Sequence, residues 1–171
     1  MMHQGSLLAS TNQASKAIQM MSSGIDAWRS TGSTLWIPCY LSDLASTYAE
    51  LELADDARSR IEEAVRAVEA SKAWWCEAEV HRTAGEIALM SSEQHEARAE
   101  ACFERALATA RKQHAKSWEL RAAMSMARLW SQQGKRRQAS DLLAPVYAWF
   151  TEGLDTLDVK AAKAFLAELA S

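Results

Sequence analysis

Apolar residues along this chain recur at helical spacing, and one element of that pattern returns down its length. Ala99, Phe103 and Ala106 place two small residues and a large one on a single helical stripe. The same A-x-x-x-large-x-x-small element recurs as Ala57, Ile61, Ala64 and as Ala139, Leu143, Val146, with a fainter copy at Ala17, Met21, Gly24. Its first positions lie 40, 42 and 40 residues apart. A period that regular predicts an array of stacked helix pairs, in which no unit buries its apolar face alone.

The stripes set the elements. Residues 12–29 read as a helix through Ala17, Ile18, Met21, Ile25 and Trp28, broken by Ser30, Thr31, Gly32 and Ser33. It is expected to be the second half of a pair whose first helix is short or missing, as if cut from a longer array. A helix over 35–52 carries Leu41, Leu44, Ala45 and Tyr48, with Pro38 tolerated in its first turn. The next, to Ser71, starts with Asp55 and Asp56, which suit a helix N-terminus. It buries Ala57, Ile61, Ala64, Val65 and Val68, and turns Arg58, Arg60, Glu62, Glu63 and Arg66 outward as a solvated face. Helices follow over 74–90, 97–114, 115–133 and 135–150, with a loop at Ser91–Glu96 and a turn at Gly134. A last helix over 155–170, capped by Thr156 and Asp158, has a stripe of Val159, Ala162, Phe165, Leu166 and Leu169 suited to closing the array. The expected fold is all-α, one helical repeat domain over 1–171: units 12–32 (partial), 34–72, 74–114 and 115–153, then a capping helix at 155–170.

Composition agrees. Six Gly and two Pro in 171 residues leave little room for a loop-rich or all-β fold. A net charge of −3 argues against nucleic acid as partner. No apolar run approaches the roughly 18 residues of a membrane span, and no signal peptide is evident, so a cytoplasmic location without membrane attachment is expected. Cys39, Cys76 and Cys102 read as reduced, buried, small apolar residues.

Aligned on their repeat element, the pairs resemble the tetratricopeptide repeat (TPR). Leu41, Leu44, Ala45 and Tyr48 precede Ala57, Ile61 and Ala64; Ala123, Met126, Ala127, Trp130 and Gly134 precede Ala139, Leu143 and Val146. Gly85, between Ala84 and Ala88, holds the small position of the middle pair, where the second helix packs close. The repeat is longer than the family's usual length of about 34 residues, and the family's terminal proline is missing, so the likeness is TPR-like. From Trp74 onward, CEAEVHRTAGEIAL, FERALATARKQHAKSWELRAAMSMARLW and GKRRQASDLLAPVYAWFTEG resemble the C-terminal region of bacterial multidomain signalling proteins. These join an adenylate/guanylate cyclase or winged-helix domain to a STAND-type ATPase and a helical tail. The likeness covers the tail alone and brings no cyclase or ATPase activity with it.

Chemistry is sparse. There is no phosphate-binding G-x-x-x-x-G-K-[ST] loop, and the four histidines show no metal-ligand spacing. No enzyme activity, metal or cofactor is expected. Of the tryptophans, Trp28, Trp118, Trp130 and Trp149 are read as filling gaps between helices. Trp74 and Trp75 cannot share one helix face, so one of them should be exposed as a contact anchor.

The TPR resemblance implies that the first helix of each pair lines a concave groove. Its groove positions are then Ser42 and Ser46, then Glu79, Arg82 and Glu86, then Arg121, Met124 and Arg128. The arginines either recognise carboxylates or phosphates of a partner or pair with the glutamates as a structural network. The expected function is a non-catalytic protein-interaction or regulatory module, a signalling protein's tail binding a protein or peptide. The alternative is a small-molecule sensor regulating a nucleotide-switched domain. A deep, largely apolar pocket in the groove favours the sensor, and a shallow charged trough favours a peptide. A homodimer is a further expectation, if Ile18, Met21, Ile25 and Trp28 lie open.

Overall fold

A computed structural model describes residues 14–71, 74–90 and 95–171 of the chain. The described residues form the helices α1 (Ala14–Ser30), α2 (Ile37–Glu50), α3 (Ala54–Ser71), α4 (Glu77–Leu89), α5 (Glu96–Lys112), α6 (Lys116–Gln132), α7 (Arg136–Ala148) and α8 (Leu157–Ala170). No strand occurs among them. Residues 1–11 and most of the expected loop at 91–96 lie outside the described residues.

Each helix packs on its sequence neighbour, and α2, α4, α6 and α8 also pack on one another in series. The alternate helices α3, α5 and α7 have no comparable contact among themselves. The array therefore curves with α2, α4, α6 and α8 on its inner face. The repeat element explains the close approach. Ala17, Ala57, Ala99 and Ala139 are all fully buried, as are Phe103 and Leu143. Small side chains there let one helix backbone accept the large residue of the next.

The middle pair takes this furthest. A Cβ on Gly85 would stand 2.4 Å from Cε1 of Phe103, so only glycine lets α5 close on α4 here.

Three turns share one chemistry. The amides of Leu53, Ala115 and Lys135 donate to the carbonyls of Tyr48, Ala110 and Trp130, five residues back. The residues before them, Glu52, His114 and Gly134, take positive φ of 59°, 54° and 77°. Gly134 is the expected turn residue. At the other two turns a non-glycine residue holds the left-handed conformation.

Several expectations need correction. Residues 74–76 form a short 3₁₀ turn ahead of α4. Helix α7 carries Pro145 in its last turn and stops at Ala148, which leaves Trp149 57% exposed instead of buried. Thr156 occupies the N-cap of α8, yet its hydroxyl donates to the Gly153 carbonyl and caps no helix amide. Cys76 is fully buried, and Cys39 and Cys102 are partly buried. The face of α3 is less solvated than its charges suggest, because Glu63 is clamped by Arg29 of α1 and Arg60, and Glu62 reaches Arg98 of α5. At the N-terminal end, Met21 and Ile25 are buried against α2, while Ile18 and Trp28 stay partly exposed, so the stripe is covered in part within the chain.

Candidate functional site

The inner face presents a trough of two confluent cavities, about 360 Å³ between α2 and α4 and about 150 Å³ between α4, α6 and α8. Arg82, Glu86 and Arg121 line both. Positions three and four apart on α4 fall on one stripe, so Glu79, Arg82 and Glu86 stack along it. Arg82 binds Glu79 through two parallel bonds, Nε to Oε2 and Nη2 to Oε1, each 2.8 Å. Its Nη1 donates to Glu86, whose Oε1 also accepts from the Ser125 hydroxyl of α6 at 2.9 Å. From α6, Arg121 places Nη2 2.7 Å from Oε1 of Glu79 and lies over the Trp118 ring, with Asp158 of α8 at 4.0 Å.

This network uses Arg82 almost fully. Only 9% of the residue is exposed, and although burial disfavours its charge, the glutamates outweigh this and raise its pKa further. Arg82 is thus the keystone of the trough floor. Ser42 and Met124 are also buried, while Ser46 is half-buried. What the trough offers to a visitor is the exposed part of Glu86 and Arg121, together with Arg128, which is exposed and makes no ion pair among the described residues. Asp43 and Glu50 of α2 join the lining and were not singled out from sequence. They lie three and seven residues from Ser46 and Asp43 respectively on the same helical stripe, which is the signal that marks them.

A second surface lies where α1 meets α2 and α3 meets α4. Trp36 stacks edge-on against Trp75 with centroids 4.5 Å apart, and Tyr40 lies 6.3 Å from Trp36 and 6.2 Å from Trp28. Trp75 is anchored by its indole N–H to the Leu35 carbonyl, whereas Trp74 is 63% exposed. Beneath them the Cys39 and Cys76 thiols are pushed up to about 12 by burial, so neither ionises at neutral pH. Among the described residues no cluster of His, Cys, Asp or Glu could hold a metal ion, and no helix is long and apolar enough to cross a membrane.

No family model matches this sequence, and no curated protein sequence does. Solved structures do match. The crystal structure of a single-substitution variant of a kinesin light chain from Podosopora anserina, with nearly identical TPR-like repeats, superposes with a TM-score of 0.71. It covers 98% of this chain and 82% of that one at 15% sequence identity. The fold is a TPR-like α-solenoid. At that identity the likeness speaks for the architecture and for no particular partner. The solenoid's inner helices α2, α4 and α6 are those that the sequence pattern makes the first members of its pairs.

Proposed function

We propose that this solenoid is a non-catalytic interaction module that receives an extended segment of a partner protein along its inner face. The observation that carries the reading is the trough's form: open, lined mainly by polar groups, and presenting charges from successive helices of a preformed scaffold. A preformed trough orders little on binding, so a flexible peptide gives most of the entropy lost. Its shallow, charged lining favours a peptide over a small molecule on this face.

Charge runs along the trough with a direction. Asp43, Glu50 and Glu86 lie toward α2 and α4, and Arg121 and Arg128 toward α6, where Asp158 of α8 offsets part of their charge. A fitting segment carries basic residues at one end and acidic residues at the other. The C-terminal sequence resemblance supports a setting as the regulatory tail of a multidomain signalling protein of the cyclase or STAND ATPase kind. Arg121 and Arg128 are the contact arginines of this reading, with Glu86 beside them, whereas Glu79, Arg82 and Met124 shape the floor.

The test is capture of partners on immobilised chain, comparing wild type with an Arg121→Glu, Arg128→Glu pair and with an Asp43→Lys, Glu50→Lys pair. All four positions are at least partly exposed, so folding is checked simply by circular dichroism. Loss of one captured protein in both variants is the expected result. Equal capture by wild type and both pairs would remove the trough from consideration and shift attention to Trp74.

A further inference from the structure

On the opposite face the weak contact between α3 and α5 leaves a cleft of about 420 Å³, with α4 as its floor. Its composition is unlike the trough's. Ile61 and Val65 of α3, Ala84 and Ile87 of α4 and Ala101 of α5 form an apolar base and walls. Around the rim stand Arg58 and Arg66 from α3 and Arg98 and Arg105 from α5, against one rim carboxylate, Glu62. In a chain of net charge −3 this is a concentration of positive charge against the overall sign.

The rim is only loosely committed to internal partners. Arg98 meets Glu62 at 3.4 Å and Arg105 meets Glu69 at 3.7 Å, and each of these side chains is about half exposed. Such pairs are weak and exchange readily for a better acceptor. Arg66 makes no ion pair among the described residues.

The interior holds a polar group without a partner. His81 lines the cleft and is only 4% exposed, yet its Nε2 has no hydrogen bond; the nearest carboxylate oxygen, on Glu77, is 3.7 Å away. Buried ring nitrogens are normally satisfied. Burial and the Arg105 charge lower the pKa of His81 to about 4, so at neutral pH the imidazole is uncharged and can give or accept one hydrogen bond.

We propose that the cleft between α3 and α5 binds an amphiphilic organic anion, its apolar body on Ile61, Val65 and Ile87 and its anionic head among Arg66, Arg98 and Arg105. The apolar base disfavours a bare inorganic anion, and the arginine rim disfavours a neutral hydrophobe. The volume suits a small-molecule ligand. The head is a carboxylate or a phosphate ester, both of which arginine binds through paired N–H groups. This site is separate from the trough, and it places small-molecule sensing on the outer face.

The probe is 8-anilinonaphthalene-1-sulfonate, an aromatic anion that fluoresces on transfer from water. N-phenyl-1-naphthylamine, which lacks the sulfonate, serves as its neutral counterpart. Wild-type chain is expected to bind the sulfonate at one site, with displacement by decanoate or decyl phosphate and none by inorganic phosphate. The stronger of those two competitors identifies the head group. Ala101→Trp, at an exposed position on the cleft wall, fills the cleft and should weaken both probes by about tenfold or more. Arg66→Glu with Arg98→Glu, also exposed, should weaken the sulfonate by about tenfold or more and the neutral probe by less than about twofold. Trp74→Ala should change neither. Unchanged sulfonate binding in both cleft variants overturns the proposal, as does binding lost only in Trp74→Ala. If Ala101→Trp fails to fold, the arginine pair decides alone.

Discussion

Adding one methyl group at Gly85 tests the packing that the repeat depends on. In a helix interior, Gly→Ala ordinarily stabilises by about 1 kcal/mol, because alanine has less backbone freedom to lose. Here the new Cβ would lie 2.4, 2.7 and 2.9 Å from three carbons of the Phe103 ring. Ordinary carbon contacts lie at about 3.5–4.0 Å, so ring or helix must retreat by roughly 1 Å. The ring is fully buried and cannot swing into solvent. Overpacking of this kind costs about 1–3 kcal/mol, and a backbone-fixed methyl against a caged ring belongs at the upper end. Set against the helix gain, Gly85→Ala should destabilise by about 2 kcal/mol, lowering the melting temperature by roughly 4–8 °C. Urea unfolding followed by circular dichroism measures this. The double variant with Phe103→Leu, where the clash is relieved, should be more stable than the two single costs added together, by about 1–2 kcal/mol. A Gly85→Ala chain as stable as wild type would refute the reasoning, as would strict additivity.

Two further outcomes follow from buried polar groups. Arg82→Met leaves Glu79 and Glu86 without their shared counter-charge and should cost about 2–4 kcal/mol, while Arg128→Ala should stay within about 0.5 kcal/mol of wild type; urea titrations separate the two, and equal stability would deny Arg82 its place in the floor. Acidification tests His81: its folded pKa of about 4 lies below the ordinary 6.5, so between those values the unfolded chain binds a proton that the folded one does not. Stability is therefore retained above pH 6.5 and falls by about 3 kcal/mol as pH drops toward 4. Glu119 is held below its ordinary 4.5, against its burial, by Lys116 and Arg111, and loses its contribution only beneath that value, so the interval from 6.5 to 4.5 reports mainly on the histidine. His81→Gln should flatten that interval, and parallel curves for the two proteins would refute the assignment.

Much of the fold is legible in the sequence because helix pairing is local. The small residue at each repeat position marks where two neighbouring helices touch, and Ala17, Ala57, Ala99 and Ala139 are all buried as that spacing predicts. Two of the three equivalent turns escape notice since Glu52 and His114 do the work usually signalled by glycine. Trp149 is misread because the stripe through α7 gives no sign that the helix ends just ahead of it, in the turn containing Pro145. The trough is half legible. Offset along the helix locates Arg82 on the correct face, but the same i, i+3 and i, i+4 rule puts Glu79 and Glu86 against it, and Ser125 comes from 43 residues away. The cleft is not legible as a cleft. The run from Arg58 to Arg66 looks like a solvated face in isolation, and only the gap between α3 and α5 turns it toward Arg98 and Arg105.

Helix α4 is where these surfaces meet, and its register explains why they can be distinct. Arg82 and Glu86 point to the trough, His81, Ala84 and Ala88 line the cleft, and Gly85 lies against Phe103 of α5. Two sides of one helix of 13 residues thus serve two surfaces, with Gly85 on the cleft side beside His81 and Ala88. The glycine contact fixes how near α5 comes to α4, and α5 is also one wall of the cleft, so cleft width follows from the packing at Gly85. The trough depends instead on α4 against α2 and α6, joined to it by Arg121 and Ser125. A change at Gly85 that pushes α5 outward therefore widens the cleft first and reaches the trough only if α4 itself turns. The ion network anchored on Arg82 opposes that turn, since rotating α4 would separate Arg82 and Glu86 from Ser125 and Glu79 from Arg121. The two faces share an element, yet the links from Glu86 to Ser125 and from Glu79 to Arg121 tie one of them to α6, and no such link ties the other.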